Sequence, residues 1–196
     1  ACRFSWPVVG SAVLRIHAPA KVNLYLDVGD VRPDGYHEVT TVLQTLALGD
    51  EVRIEPAERF GFVCPTDLGV PVEQNLAYRA AASMAEAFGR GVHATITVNK
   101  AIPAGAGLGG ASADAAAVIV GLASLWEIPL SDPDVLAVAR SLGADVPFFL
   151  VGGAALYGER GDVFVSQLTS LDADIVIAKP PVPVPTAHAY RTFDTL

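Results

Sequence analysis

Residues 103–113 run Pro103, Ala104, Gly105, Ala106, Gly107, Leu108, Gly109, Gly110, Ala111, Ser112 and Ala113. Glycine has no Cβ, so such a segment can adopt positive φ and bring its backbone close to a ligand. A helix opening at Ser112 would aim unpaired N–H groups and the positive end of its dipole into the loop. Together these features make a phosphate cradle. Two familiar cradles fit poorly. The Walker loop needs a lysine directly after its glycines, and none follows Gly110. The dinucleotide spacing is met formally by Gly105, Gly107 and Gly110. That motif, however, needs a preceding strand buried on both faces of a parallel sheet. Residues 93–100, HATITVNK, alternate instead, with Thr95 and Thr97 on one face and Ile96 and Val98 on the other.

Two charged residues stand out away from the loop. Lys21 opens an alternating segment, KVNLYLDV, where a lysine is ordinarily a solvated strand end. Asp145 precedes Val-Pro-Phe-Phe-Leu. An acid beside so apolar a run is partly desolvated and needs a partner, or else makes a local turn bond. Tyr36 and His37 follow the turn signal Arg32-Pro-Asp-Gly35. Tyr36 offers an aromatic face, or simply packs on the sheet. His17, His93 and His188 have no second ligand at metal spacing, and no metal-ligand set is read.

The elements that must position these groups follow from periodicity. Segments 12–18, 21–28, 39–48 and 51–55 alternate as half-buried strands, with Pro19 separating the first two and Gly49-Asp50 read as a hairpin turn between the last two. Leu76, Ala80, Met84 and Phe88 share one helical face. Asn75 is a natural cap for that helix, and Gly89 ends it. Helices are predicted from Ser112 to Trp126 and from Ser131 to Gly143. Strands are predicted at 154–157, 162–166 and 172–179, and a last helix opening at Thr186. Strands come first in bulk, so the fold class is α+β, a mixed or antiparallel sheet packed on helices.

Bulk properties agree. Apolar residues make up 52% and charged residues 17% of the 196-residue chain, enough for a core and too ordered for long disorder. A net charge of −8 with no basic patch excludes a nucleic-acid binder. Cys2 and Cys64 are too few for a disulfide framework. Residues 1–10 lack a secretory pattern. The most apolar run, 115–126, is shorter than the roughly 20 residues of a membrane span. The expectation is a cytoplasmic protein with no membrane partner; oligomeric state is left open.

The whole pattern resembles one family. Residues 103–112 are similar to the phosphate loop of the GHMP kinases. Residues 18–25, APAKVNLY, resemble the first motif of that superfamily. RPDGYH at 32–37, NLAYRAA at 75–81 and LGADVPF at 142–148 resemble segments of the branch that acts on 4-diphosphocytidyl-2-C-methyl-D-erythritol. The resemblance implies a GHMP kinase fold, with residues 1–168 as the ATP-binding N-terminal domain and 169–196 as the start of an incomplete second α+β domain. It implies ATP and Mg²⁺ as cofactors and a small-molecule acceptor, CDP-methylerythritol, phosphorylated on its 2-hydroxyl. It places Lys21 and Asp145 at the reacting hydroxyl, residues 103–113 on the ATP phosphates, and Asn75 and Lys100 on the adenine side. Asn23, Tyr36, His37 and Thr186 fall on the acceptor side. Another GHMP small-molecule kinase, or a nucleotide-binding fragment without turnover, are the alternatives.

Overall fold

In the computed structural model, residues 13–179 and 192–193 are described. Six strands form one mixed sheet: β1 (Leu14–Val31), β2 (His37–Pro56), β3 (Gly61–Val63), β4 (Ala94–Asn99), β5 (Ala154–Gly158) and β6 (Val163–Leu168). Four helices join them: α1 (Leu76–Phe88), α2 (Gly110–Trp126), α3 (Pro133–Leu142) and α4 (Val146–Val151), with a short 3₁₀ turn at Val72–Gln74.

β2 is the organising strand. One of its edges pairs antiparallel with β1 along nearly its whole length. Its other edge is shared: residues 51–56 pair with β4 and residues 41–44 with β5. β3 adds to β4 in parallel and β6 to β5 antiparallel. The Asp-Gly turn is found where it was expected. Gly35 N donates to the Arg32 carbonyl at 3.0 Å and turns β1 into β2.

The helices cover one face of the sheet. Ala94, Ile96 and Val98 of β4 and Val52 and Ile54 of β2 are buried against Ala77, Ala80, Ala81 and Met84 of α1. α2 is buried almost all round and packs on β1, β2, α1, α3 and α4, as a helix without a polar face must. Burying each large aliphatic side chain contributes about 1.5–3 kcal/mol. α1 is capped as its sequence suggests: the Asn75 side chain accepts from Ala77 N at 2.9 Å, and Gly89 turns left-handed at the other end.

Several expectations are corrected. Pro19 does not divide β1; it sits within the strand opposite Gly49, at a break in the ladder. Gly49-Asp50 is not a hairpin turn but part of continuous β2. The glycine is needed for close approach, since a Cβ there would lie 2.3 Å from His17 Cε1. α2 starts at Gly110, with left-handed Gly109 as its cap, so Ser112 lies inside the first turn. Asp132, not Ser131, caps α3, accepting from Asp134 N at 2.9 Å. The apolar run after Asp145 forms α4, which periodicity over so short a length does not reveal. β3 was likewise not anticipated. Residues 172–179 form no strand: no described strand pairs with them, and Val176 is 93% exposed. Thr186, and the start of the helix expected there, lie outside the described residues.

Candidate active site

The glycine loop is held to β1 at its far end. Where the β1–β2 ladder breaks between Pro19 and Lys21, Lys21 N turns to the loop and donates to the Leu108 carbonyl at 2.9 Å. Leu108 is buried with Ala20 and Ile102 in a small apolar cluster. The irregular ladder thus frees a donor that a regular one would use, and the loop takes it up. Left-handed Gly109 then leads into α2. The first N–H groups of that helix face the loop, as helix geometry requires.

The near end of the loop is anchored by buried charge. Asp50, 1% exposed, accepts from the backbone N–H of Ala101 and of Ile102, the latter at 2.7 Å. The Lys100 ammonium bridges Asp50 and Asp114, reaching Asp114 Oδ2 at 2.5 Å. One cation therefore serves two buried carboxylates, and Asp114 Oδ1 has no hydrogen-bond partner. Burial pushes the Asp114 carboxyl up to about 7, against the pull of Lys100; the Lys100 ammonium is itself raised by the two acids in spite of its burial. Asp50 and Asp114 were not expected as site-shaping residues. The signal was local: an acid on the fifth residue of a helix that is otherwise apolar.

This arrangement gives a stability expectation. The folded Asp114 keeps its proton where an unfolded aspartate, ordinarily near 3.8, has lost it. Its contribution is full below that value and is lost as pH rises to about 7. Asp114→Asn removes the buried charge and leaves the Lys100–Asp50 pair intact. Denaturant unfolding is expected to show the variant more stable by about 1–2 kcal/mol at pH 8, with the difference shrinking at pH 5. A variant less stable at pH 8 would mean that Lys100 needs both acids.

A cavity of about 400 Å³ is lined by the loop, by Asn75 and Leu76 at the start of α1, and by Val70, Lys100 and Asp114. Pro103 to Ser112 thus border one space with Asn75 and Lys100, while Ala113 is buried beneath it. The Lys100 ammonium is committed to two carboxylates, so its stem and backbone are what it offers this cavity.

Beside the loop lies the pair that the sequence alone could not join. Lys21 Nζ is 3.4 Å from Asp145 Oδ2. It also donates to Asn23 Oδ1 at 2.8 Å, and Asn23 Nδ2 donates to Thr41 Oγ1 at 2.7 Å. The Lys21 side chain is 9% exposed and that of Asp145 35%. Asp145 is the residue before α4, but its side chain makes no capping bond there. Lys21 is therefore fixed, and Asp145 is reachable.

Tyr36 is exposed on the β1–β2 turn, with the Arg160 guanidinium carbon 4.9 Å from its ring centroid. His37 meets the Phe193 ring edge-on, with centroids 6.4 Å apart. No described helix is long and apolar enough to cross a membrane.

Known proteins resemble this chain in sequence and fold. Residues 75–153 match the family model for the GHMP kinases N terminal domain. A 4-diphosphocytidyl-2-C-methyl-D-erythritol kinase of Mycolicibacterium gilvum is 44% identical over 97% of this chain and 60% of its own length. One of Carboxydothermus hydrogenoformans is 45% identical over 89% of this chain and 61% of its own. A crystal structure of 4-(cytidine 5'-diphospho)-2C-methyl-D-erythritol kinase superposes with a TM-score of 0.71 at 39% identity, covering 91% of this chain and 63% of that one. A homoserine kinase from Cytophaga hutchinsonii, 23% identical with a TM-score of 0.54, shares the fold. The chain spans about 60% of the length of the curated relatives it matches. With its glycine loop and its sheet, the chain is similar over residues 75–153 to the GHMP kinases N terminal domain and shares the fold of these kinases.

Proposed function

We propose that this chain binds ATP in the glycine loop and carries the catalytic pair of a kinase that phosphorylates the 2-hydroxyl of 4-diphosphocytidyl-2-C-methyl-D-erythritol. The observation that carries the reading is the Lys21–Asp145 pair, 3.4 Å apart, on a lysine whose own backbone N–H holds the glycine loop.

Phosphoryl transfer asks chiefly for positioning and for charge stabilisation. The exposed Gly105 and Gly107 leave space above the loop, where a Cβ would meet nothing within 4 Å. Backbone N–H groups at the start of α2 and the Ser112 hydroxyl supply donors for phosphate oxygens. Asn75, Leu76 and Val70 give the cavity a mixed polar and apolar wall for the base. Magnesium ordinarily enters such sites on the phosphates, held by one or two carboxylates. The ion would supply charge to offset the phosphates; among the described residues no cluster of three ligating side chains is in place to hold it.

Asp145 orients the acceptor hydroxyl and takes its proton. A bond forms from that oxygen to the γ-phosphorus, the bond to the bridging oxygen breaks, and ADP leaves. Lys21 keeps Asp145 ionised and steadies the charge that develops. The exposed Tyr36 and its neighbour His37 are the groups that would meet the cytosine ring. Relatives with this substrate in their names, at 44–45% identity, support the acceptor assignment. The GHMP fold by itself would not, since fold does not determine chemistry.

The test is ADP release with Mg²⁺ and a panel of 4-diphosphocytidyl-2-C-methyl-D-erythritol, homoserine and mevalonate. Turnover with the first alone is expected. A preference for homoserine or mevalonate would overturn the acceptor assignment. ATP binding without turnover on any of them would favour the non-catalytic fragment.

A further inference from the structure

The short connection from β5 to β6 is docked on the β1–β2 turn. Val39 N donates to the Glu159 carbonyl at 2.6 Å, and Val39 and Arg160 form an isolated bridge. Arg32, just before the turn, reaches Glu159 at 3.5 Å and Glu38 at 3.0 Å. Glu159 adopts a left-handed φ of 56° without being glycine, a conformation that side chains adopt only at some cost. The result is a fixed position for one side chain. The Arg160 guanidinium lies over the Tyr36 ring, 4.9 Å from its centroid, and donates to Asp162 Oδ2 at 2.6 Å. Asp162 is 4% exposed. Its other oxygen is without a hydrogen-bond partner, so the acid is committed to orienting this arginine.

An ordinary surface ion pair does not need a buried acid. A buried carboxylate held for one arginine, whose guanidinium carbon lies over a ring that is 57% exposed, points to the ring as the object. Tyr36 has two faces, and Arg160 covers one of them. The other is left as a platform whose tilt is set by the guanidinium behind it.

We propose that Arg160 is a specificity-determining positioning residue, which holds Tyr36 as a one-sided platform for a single planar heteroaromatic ring of the acceptor. The proposal rests on the reading that Tyr36 meets the acceptor's base. Arg160 acts through Tyr36 and does not itself touch the reacting atoms. Its loss therefore weakens the grip on the base and leaves phosphoryl transfer alone.

The experiment is calorimetric binding of cytidine 5'-diphosphate to the full chain, with excess ADP present to fill the loop site. Arg160→Gln is expected to weaken binding about tenfold, an effect of the size cation–π and stacking contacts support. In a Tyr36→Ala background the same change is expected to have no further effect. Arg160→Gln leaves Asp162 buried without its cation, so Arg160→Gln with Asp162→Asn serves as the second variant if the first unfolds. A tenfold loss that persists in Tyr36→Ala would overturn the proposal, because Arg160 would then act on the ligand directly. Unchanged binding in Arg160→Gln, with a large loss in Tyr36→Ala, would overturn it and leave the base reading standing. No loss in Tyr36→Ala, or no binding by the wild-type chain, would sink the base reading and the proposal with it.

Discussion

Asp145→Asn is expected to cut turnover by about 10³-fold, within the 10²–10⁴ that a positioned general base contributes, while ATP affinity stays within about threefold. The substitution keeps the shape of the side chain and removes its capacity to take a proton. Asp145 caps nothing with its side chain, and its contact to Lys21 is partly exposed, so the fold should be indifferent to the change. Single-turnover measurement of ADP formation, beside nucleotide binding measured separately, reads the two effects independently. A variant retaining a tenth of wild-type turnover would remove Asp145 from the reaction. Lys21 provides the cross-check. Groups that act as a unit give non-additive losses, so Lys21→Met combined with Asp145→Asn should be little worse than the acid substitution alone.

The pairing of these two residues marks the boundary of what the sequence makes legible. α1 and β4 follow from local periodicity, because each carries its apolar pattern over enough residues to be read, and α2 follows from the length of its apolar run. The glycine loop is legible from composition for the same reason, and Asn75 was recognisable as the cap of α1. What local reading misses is settled by groups far away in the chain. Gly49-Asp50 has the composition of a turn, yet the Asp50 carboxylate is taken up by Lys100, Ala101 and Ile102, and β2 runs on through it. Lys21 resembles a solvated strand end until Asp145 and Asn23 are brought to it. Arg160 stands in an evident turn between two short strands, but nothing near it in sequence announces Tyr36 as its partner. Segment 172–179 alternates like a strand, and no described strand lies beside it to accept its hydrogen bonds. Alternation gives a capacity to pair, not the partner.

Gly109→Ala is expected to damage both the loop and the seating of Lys21, lowering ATP affinity by at least 100-fold. Two costs combine. The residue sits at φ 71°, where a Cβ costs roughly 1–2 kcal/mol. The added methyl would also lie 2.9 Å from Lys21 Cγ and 2.9 Å from Phe149 Cζ, an overpacking penalty of about 1–3 kcal/mol. Relief requires the loop to lift or Lys21 to move, and either breaks the link between the glycine loop and the Lys21–Asp145 pair. Gly107→Ala separates the two causes. Its φ is also 71°, but a Cβ there meets nothing within 4 Å. It should therefore lose only the conformational term of roughly 1–2 kcal/mol in stability, with its methyl projecting into the space above the loop. Denaturant unfolding and nucleotide titration of both variants decide the matter. If Gly109→Ala loses no more stability than Gly107→Ala, the close approach to Lys21 is not what the glycine serves. If Gly107→Ala binds ATP as wild type does, that space is not where the phosphates sit, and the cradle lies on the α2 side of the loop alone.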